Sequence, residues 1–141
     1  MTAAVSEAAT NQLNAVFWDA CNRGELVVQQ CQQCGTRFFV PEAICPTCRA
    51  DDWQWRPSNG TGSIYSYTVV HRSFRDDLPP PYVVAAIDLD DGWTMMSNIV
   101  GCRPEDVHIG MRVEVTFTRG PDGRQLPRFA RSGAGPEAVH Q

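Results

Sequence analysis

Residues 31–48 read CQQCGTRFFVPEAICPTC, two Cys-x-x-Cys pairs separated by ten residues. Each pair can wrap two thiolates around one side of a tetrahedral metal, and the short connection lets the two knuckles meet, as a four-cysteine structural zinc site requires. Gly35 directly after the first pair permits a positive-φ turn, and Pro46 inside the second fixes one. Cys31, Cys34, Cys45 and Cys48 therefore read as the ligands of a structural Zn2+. Two disulfides, or one redox-active pair beside a bystander, would need the same cysteines, but the paired spacing is that of a metal site and nothing in the chain implies export. Four thiolates close the coordination shell, so the ion is expected to hold the fold and leave the chemistry to other groups.

Working outward, 141 residues suit one domain or a small metal-stapled module followed by a second compact unit with its own core. The formal net charge of −4 and the lack of any basic run disfavour a general nucleic-acid binder, whose affinity comes from concentrated positive charge. Met1–Thr10 is alanine-rich without a basic n-region or an apolar h-region, and no stretch is long and apolar enough to span a bilayer. A cytoplasmic protein without membrane contact is the expectation, and a reducing compartment suits the thiolates. All twelve basic residues are arginine, which removes any lysine Schiff-base mechanism. Cys21 and Cys102 lie outside the paired pattern and read as small buried hydrophobes.

The expected organisation is a flexible N-terminus over 1–10, a helix plus zinc ribbon over 11–57, an OB-fold over 58–131 and a disordered tail over 132–141. Leu13, Val16, Phe17 and Ala20 recur at helical spacing before Gly24, predicting a short amphipathic helix between about Asn11 and Arg23. Trp18, beside that stripe, either packs or offers an aromatic handle to a partner. Strands are expected at 25–30 and 37–40 around the first knuckle. Trp53 and Trp55 alternate with Gln54, so a strand would place both indoles on one face as a cover for the ribbon. The run Pro57 to Gly62 then breaks all periodicity.

Beyond it, β-rich runs at 63–70, 82–89, 94–100, 111–118 and 126–131 predict five strands, with Asp90-Asp91-Gly92 and Gly120-Pro121-Asp122-Gly123 as turns. Arg103-Pro104-Glu105-Asp106 begins a helical turn between the third and fourth strands and ends near Gly110. That order is the order of an OB-fold, a partly open Greek-key barrel, so the fold class is mainly β: an N-terminal helix, a rubredoxin-like zinc ribbon, then a five-stranded OB-fold barrel.

Several short elements now align in order: Phe17-Trp18, Gly24-Glu25-Leu26, Cys31-x-x-Cys34-Gly35, Pro41, Cys45-Pro46-x-Cys48, Gly60-x-Gly62-x-Ile64-Tyr65-Ser66-Tyr67-Thr68-Val69-Val70, Pro81-Tyr82, Gly110-Met111-x-Val113 and Val115-x-Phe117. In this order, from about residue 14 to residue 131, they resemble the bacterial and archaeal zinc-ribbon/OB-fold acyl-CoA-associated proteins. The resemblance implies an accessory subunit that forms a hetero-oligomer with a thiolase-like protein and helps present an acyl-CoA. In actinobacterial steroid catabolism such domains accompany lipid-transfer-protein-type thiolase homologues, and the pair looks like a retro-aldolase acting on a β-hydroxyacyl-CoA side chain. In other members the partner is a conventional thiolase.

Few groups remain for chemistry. His71, Arg72, Phe74 and Arg75 leave the first barrel strand for a proline-stiffened loop that returns at Tyr82. Arginine pairs with phosphate and an aromatic stacks on adenine, so Arg72, Phe74, Arg75 and Tyr82 are the candidate CoA-binding residues, against a plain solvated loop as the alternative. His108 precedes Gly110 where a histidine caps carbonyls, and His140 sits in the tail. Asp76-Asp77 and Asp88-x-Asp90-Asp91 read as turn aspartates that cap backbone amides. No triad, phosphate loop or dinucleotide fingerprint appears, so no catalytic residue is assigned. A single-stranded nucleic-acid module is the competing class, because zinc ribbons and OB-folds both occur among strand binders.

Overall fold

The computed structural model describes residues 12–72 and 78–133. The helix is α1 (Ala15–Asn22), which buries Phe17, Ala20 and Cys21. It ends where Gly24 takes a φ of 75° and its N–H donates to the Cys21 carbonyl at 2.9 Å, the left-handed stop that glycine accepts without strain. Three short strands follow: β1 (Val27–Cys31), β2 (Arg37–Phe38) and β3 (Trp53–Pro57), in the antiparallel order β2-β1-β3. This is the ribbon, and its central strand ends on the first zinc ligand.

Five further strands, β4 (Thr61–Val70), β5 (Tyr82–Leu89), β6 (Trp93–Val100), β7 (Arg112–Arg119) and β8 (Gln125–Arg131), close into a barrel in the order β4-β5-β6-β8-β7. Closure needs β4 to pair with β7, Gly62 opposite Val113, and β6 to pair in parallel with β8, Ile99 opposite Phe129. A single 3-10 turn, Pro104–Asp106, stands for the predicted helical segment, with Pro104 at its first position. Each predicted strand is present with its ends within two residues of expectation, and the architecture is the OB-fold order.

The Gly60-x-Gly62 motif has a steric cause. Gly60 has φ 74°, and a Cβ there would lie 2.4 Å from Val115 Cγ1; a Cβ on Gly62 would lie 2.3 Å from the Asp88 carbonyl oxygen. The start of β4 is thus pressed against its neighbouring strands on both sides, and only glycine fits.

A separate barrel core does not form. Phe17 and Cys21 from α1 and Leu26 and Val28 from the ribbon belong to the same buried cluster as Ile64, Ile87, Trp93 and Phe129 from the barrel. Trp18, Phe17, Phe39 and Trp93 make a chain of ring contacts across the junction, with centroids 5.2, 5.1 and 5.6 Å apart. The ribbon is too small to bury the apolar face of α1, so that face closes against the barrel instead. The two tryptophans of β3 also divide: their rings meet edge to face at 5.9 Å, but Trp53 covers the Cys31, Phe38 and Cys45 cluster while Trp55 packs on the shared core.

Polar contacts reinforce the junction. Arg37 on β2 donates to Asp91 Oδ2 at 2.9 Å, and Asp91 Oδ1 accepts from Trp93 Nε1 at 3.1 Å. Asp90 receives a two-pronged Arg112 guanidinium and the Thr61 hydroxyl, and Asp88 accepts from the Thr94 hydroxyl at 2.8 Å. These carboxylates therefore bind side chains of other strands, not the turn amides the sequence led us to expect. Arginine supply explains it: β2 and β7 each place a guanidinium over the β5–β6 turn, and a charged donor outcompetes an amide.

Candidate functional site

The two knuckles repeat one geometry. The Cys31 N–H donates to the Thr36 carbonyl and the Cys45 N–H to the Ala50 carbonyl, both at 2.8 Å; four residues on, Gly35 and Arg49 return their N–H groups to the Cys31 and Cys45 carbonyls at 3.0 and 2.9 Å. Gly35 has φ 79° and Arg49 has φ 67°, so the second knuckle carries an arginine in the left-handed position the first gives to glycine. Backbone N–H groups of Gln33 and Thr47 point at the sulfurs of Cys31 and Cys45 at 3.3 and 3.4 Å. Amides aimed at sulfur favour the thiolate, the form a metal needs.

The four sulfurs lie within 4.8 Å of one another, with Cys31 to Cys48 at 3.5 Å and Cys34 to Cys45 at 3.7 Å. A tetrahedral ion with bonds of about 2.3 Å demands sulfur edges of about 3.8 Å, so the cluster fits zinc. The Thr36 hydroxyl, 3.1 Å from its sulfur, and then the Thr36 backbone draw the Cys34 thiol down to about 6. The Ala50 amide lowers Cys48, but the other three sulfurs, Cys31 foremost, and desolvation push it up to about 12. Four crowded sulfurs resist sharing four negative charges, and a divalent cation among them removes that conflict. The four cysteines form a structural zinc site, and four protein ligands leave no coordination position for substrate.

The loop between the knuckles is clipped from inside. Gln29 on β1 is fully buried and spends its whole amide on one residue: Nε2 donates to the Glu42 carbonyl at 2.7 Å while Oε1 accepts the Glu42 N–H at 2.8 Å. Trp53 Nε1 adds a bond to the Ala43 carbonyl at 2.8 Å. Neither role was read from the sequence. A glutamine following two valines was the only visible mark of the clip.

Of the candidate CoA-binding residues, Arg72 is exposed just past the end of β4, and Tyr82 opens β5 directly opposite Val70. Tyr82 is half-buried and shares a depression of about 220 Å3 with Leu78 and Met96. Phe74 and Arg75, with Asp76 and Asp77, lie outside the described residues, as do Met1–Asn11 and the tail from residue 134, including His140. Ser132, assigned to that tail, still donates its N–H to the Arg112 carbonyl at 2.8 Å. His108 Nδ1 lies 3.3 Å from the Asp106 carbonyl, a capping geometry. Burial pushes the Cys21 thiol up to about 12 and raises Cys102, which suits small hydrophobes and not nucleophiles. Trp18 packs: Phe17 meets it edge on and the Arg124 guanidinium lies 4.6 Å over its ring.

The sequence did not disclose a groove on the barrel face. A cleft of about 360 Å3 runs between α1, the Phe39–Pro41 segment and strands β6 and β8; a neighbouring depression of about 400 Å3 is walled by Val40 and Thr94. Met96, 68% exposed, borders both and the Tyr82 depression as well. Strand alternation predicts Met96 to face outward. That the inter-knuckle loop and α1 would rise on either side of it is a tertiary fact.

Residues 18–54 match the family described as ChsH2, rubredoxin-like zinc ribbon domain, and residues 55–118 match ChsH2, C-terminal OB-fold domain. A DUF35 domain-containing scaffold protein of Methanocaldococcus jannaschii is 41% identical over 104 residues, covering 70% of this chain and 74% of that protein. The probable enoyl-CoA hydratase alpha subunit of Thermomonospora curvata is 36% identical over 121 residues, 86% of this chain, and the chain spans 38% of its length. A solved structure described as an Ltp2-ChsH2(DUF35) aldolase superposes with a TM-score of 0.81 at 34% identity, covering 89% of this chain and 99% of that one. A DUF35 structure from Sulfolobus solfataricus, at 16% identity and a TM-score of 0.63, shares the fold. Among the described residues, no helix is long and apolar enough to cross a membrane.

Proposed function

Since this chain belongs to the DUF35 family of zinc-ribbon and OB-fold proteins, we propose that it is the accessory subunit of a thiolase-like, lipid-transfer-protein-type enzyme acting on acyl-CoA. The observation that carries the reading is the likeness, at 34% identity over nearly all of the matched chain, to the DUF35 component of an aldolase. The reaction we propose for the assembly is retro-aldol cleavage of a β-hydroxyacyl-CoA from a steroid side chain. A base removes the β-hydroxyl proton, the Cα–Cβ bond breaks as the hydroxyl carbon becomes a ketone, and the released acyl-CoA enolate takes a proton at Cα.

The partner supplies that base and acid. This chain offers a closed metal site, two thiols raised by burial and no lysine. Its own part is to stabilise the partner and to present the substrate: Arg72 and Arg75 are the candidates to pair with CoA phosphates, and Phe74 or Tyr82 to stack on the adenine. The strand-binding alternative has less support, because the chain carries a net charge of −4 with no basic run, and the depression beside Tyr82 is bordered by Met96, Val84 and Leu78 where a nucleic-acid groove needs guanidinium groups.

The test is turnover of a β-hydroxyacyl-CoA by the chain, by the lipid-transfer-type protein and by the two together. The reading requires activity of the pair only, with Arg72→Ala plus Arg75→Ala raising KM while the complex persists. Cleavage by the chain unaided, or no gain on mixing, refutes it.

A further inference from the structure

We infer that the groove centred on Met96 is a second ligand site, which takes the uncharged acyl portion of a thioester substrate. The inference rests on the acyl-CoA reading above and adds to it a place for the part of the substrate that is not CoA.

The groove's position is the first argument. It runs across β6, the third barrel strand, from the depression that Tyr82 and Val84 of β5, the second, line at one end to the cleft that β8 and α1 close at the other. That is the face on which OB-folds bind extended ligands. Here it is built for a different chemistry. Ser97 donates its hydroxyl to the Pro127 carbonyl at 2.7 Å and Asn98 its amide to the Val83 carbonyl at 3.0 Å, so both polar side chains at the centre are turned to backbone. The charged lining residue, Arg128, is buried. What faces the space, apart from Asn14 at the α1 end, is Trp18, Phe39, Val40, Met96 and Leu126. A phosphate or a sugar finds no donor array there, whereas a hydrocarbon finds aromatic and aliphatic walls.

Rigidity is the second argument. Val40 and Pro41 belong to the loop clipped by Gln29 and Trp53, which zinc closes at both ends. Trp18 is held by Phe17 and Arg124. The walls are therefore pre-formed, and the volume of about 360 Å3 falls in the range of small-molecule sites. The adjustable element is methionine, whose unbranched thioether fits itself to irregular apolar ligands. The Tyr82 end of the groove adjoins the strand end that carries Arg72, so a thioester whose nucleotide meets Arg72 and Tyr82 has its acyl chain directed along β6.

The methionines provide the test. The chain has Met1, Met95, Met96 and Met111, so methyl-labelled methionine gives four resolved reporters, of which Met111 in the barrel core is the internal control. The zinc-loaded full chain is titrated with decanoyl-N-acetylcysteamine, an uncharged thioester, with decanoyl-CoA, and with CoA. Both thioesters should shift Met96 and Met95 saturably and leave Met111 still, and CoA, which meets the Tyr82 end only, should leave Met95 still. Met96→Glu, at an exposed position, should weaken the neutral thioester at least tenfold as read at Met95, and Met96→Leu should retain it. Thioesters that leave Met95 and Met96 unmoved, Met96→Glu binding as the parent does, or a Met96 shift seen only on adding the partner protein each overturns the inference. The first result leaves the accessory role standing. A shift with the neutral thioester keeps the groove even where the paired turnover assay fails, so the two readings fail separately.

Discussion

Replacing Asp91 by alanine removes the carboxylate that ties the ribbon to the barrel, and the cost can be worked from its surroundings. The Arg37 and Asp91 side chains are 23% and 16% exposed, so most of each charge is out of water. An exposed pair would be worth about 0–1 kcal/mol, whereas breaking a fully buried one costs about 3–5 kcal/mol. The residual exposure lets water solvate the orphaned guanidinium in part, which brings the charge component to about 2 kcal/mol. Trp93 Nε1 keeps only the longer 3.3 Å contact to Ser58 Oγ, adding up to about 1 kcal/mol. Asp91→Ala should thus lose about 2–3 kcal/mol, or about 6–10 °C in Tm at the slope typical of a chain of this size. Urea unfolding of the zinc-saturated protein, followed by tryptophan fluorescence, measures it. A cycle with Arg37→Met should return a coupling of about 1 kcal/mol or more. A loss below about 1 kcal/mol, or additive single variants, would mean that the bridge is a surface contact and that the shared apolar core holds the two parts together without it.

Removing zinc with a high-affinity chelator should unfold the ribbon and lower overall stability by several kcal/mol, because the ion's binding energy is folding energy; far-UV circular dichroism and metal release should change together. Gly62→Ala forces a methyl against the Asp88 carbonyl of the adjacent strand and should cost about 2 kcal/mol or more by denaturant unfolding. The Arg112 hydrogen bonds, and after them Thr61, hold the Asp90 carboxyl below its ordinary value. A depressed carboxylate stabilises the fold above its unfolded pKa of about 4 and loses that contribution as pH falls through the folded value, so Asp90→Asn should flatten the acid limb of a stability–pH curve below about pH 4 and leave its slope above pH 5 unchanged.

What could be read ahead of the structure was what local chemistry dictates. Cysteine spacing specified the metal site, and glycine after Cys34 specified the turn. Runs rich in β-branched, aromatic and apolar residues, bounded by Asp-Gly and Pro-Asp-Gly turns, placed all five barrel strands, and their order around one helical turn gave the OB-fold. What stayed hidden depends on separation in the chain. Arg37 and Asp91 are 54 residues apart, and nothing local marks them as partners. The shared core was missed because a stripe such as Phe17 and Cys21 states that a helix buries one face without stating against what. Arg49 at φ 67° was invisible for a different reason: the first knuckle spends a glycine there, and only the repeated hydrogen bonds reveal that the second needs the same conformation. Of the candidate site, the zinc ligands were legible and the groove was not, since its walls come from α1, the inter-knuckle loop and two barrel strands.

The central claim, that this chain serves a thiolase-like partner, is tested most directly by an affinity pull-down of the tagged, zinc-loaded chain from lysate of its native host, with mass spectrometry of what survives a salt wash. The account predicts recovery of a lipid-transfer-type or thiolase-like protein in fixed proportion to the chain. Recovery of nucleic acid with ribosomal or polymerase components in its place would contradict it and return the barrel to strand binding.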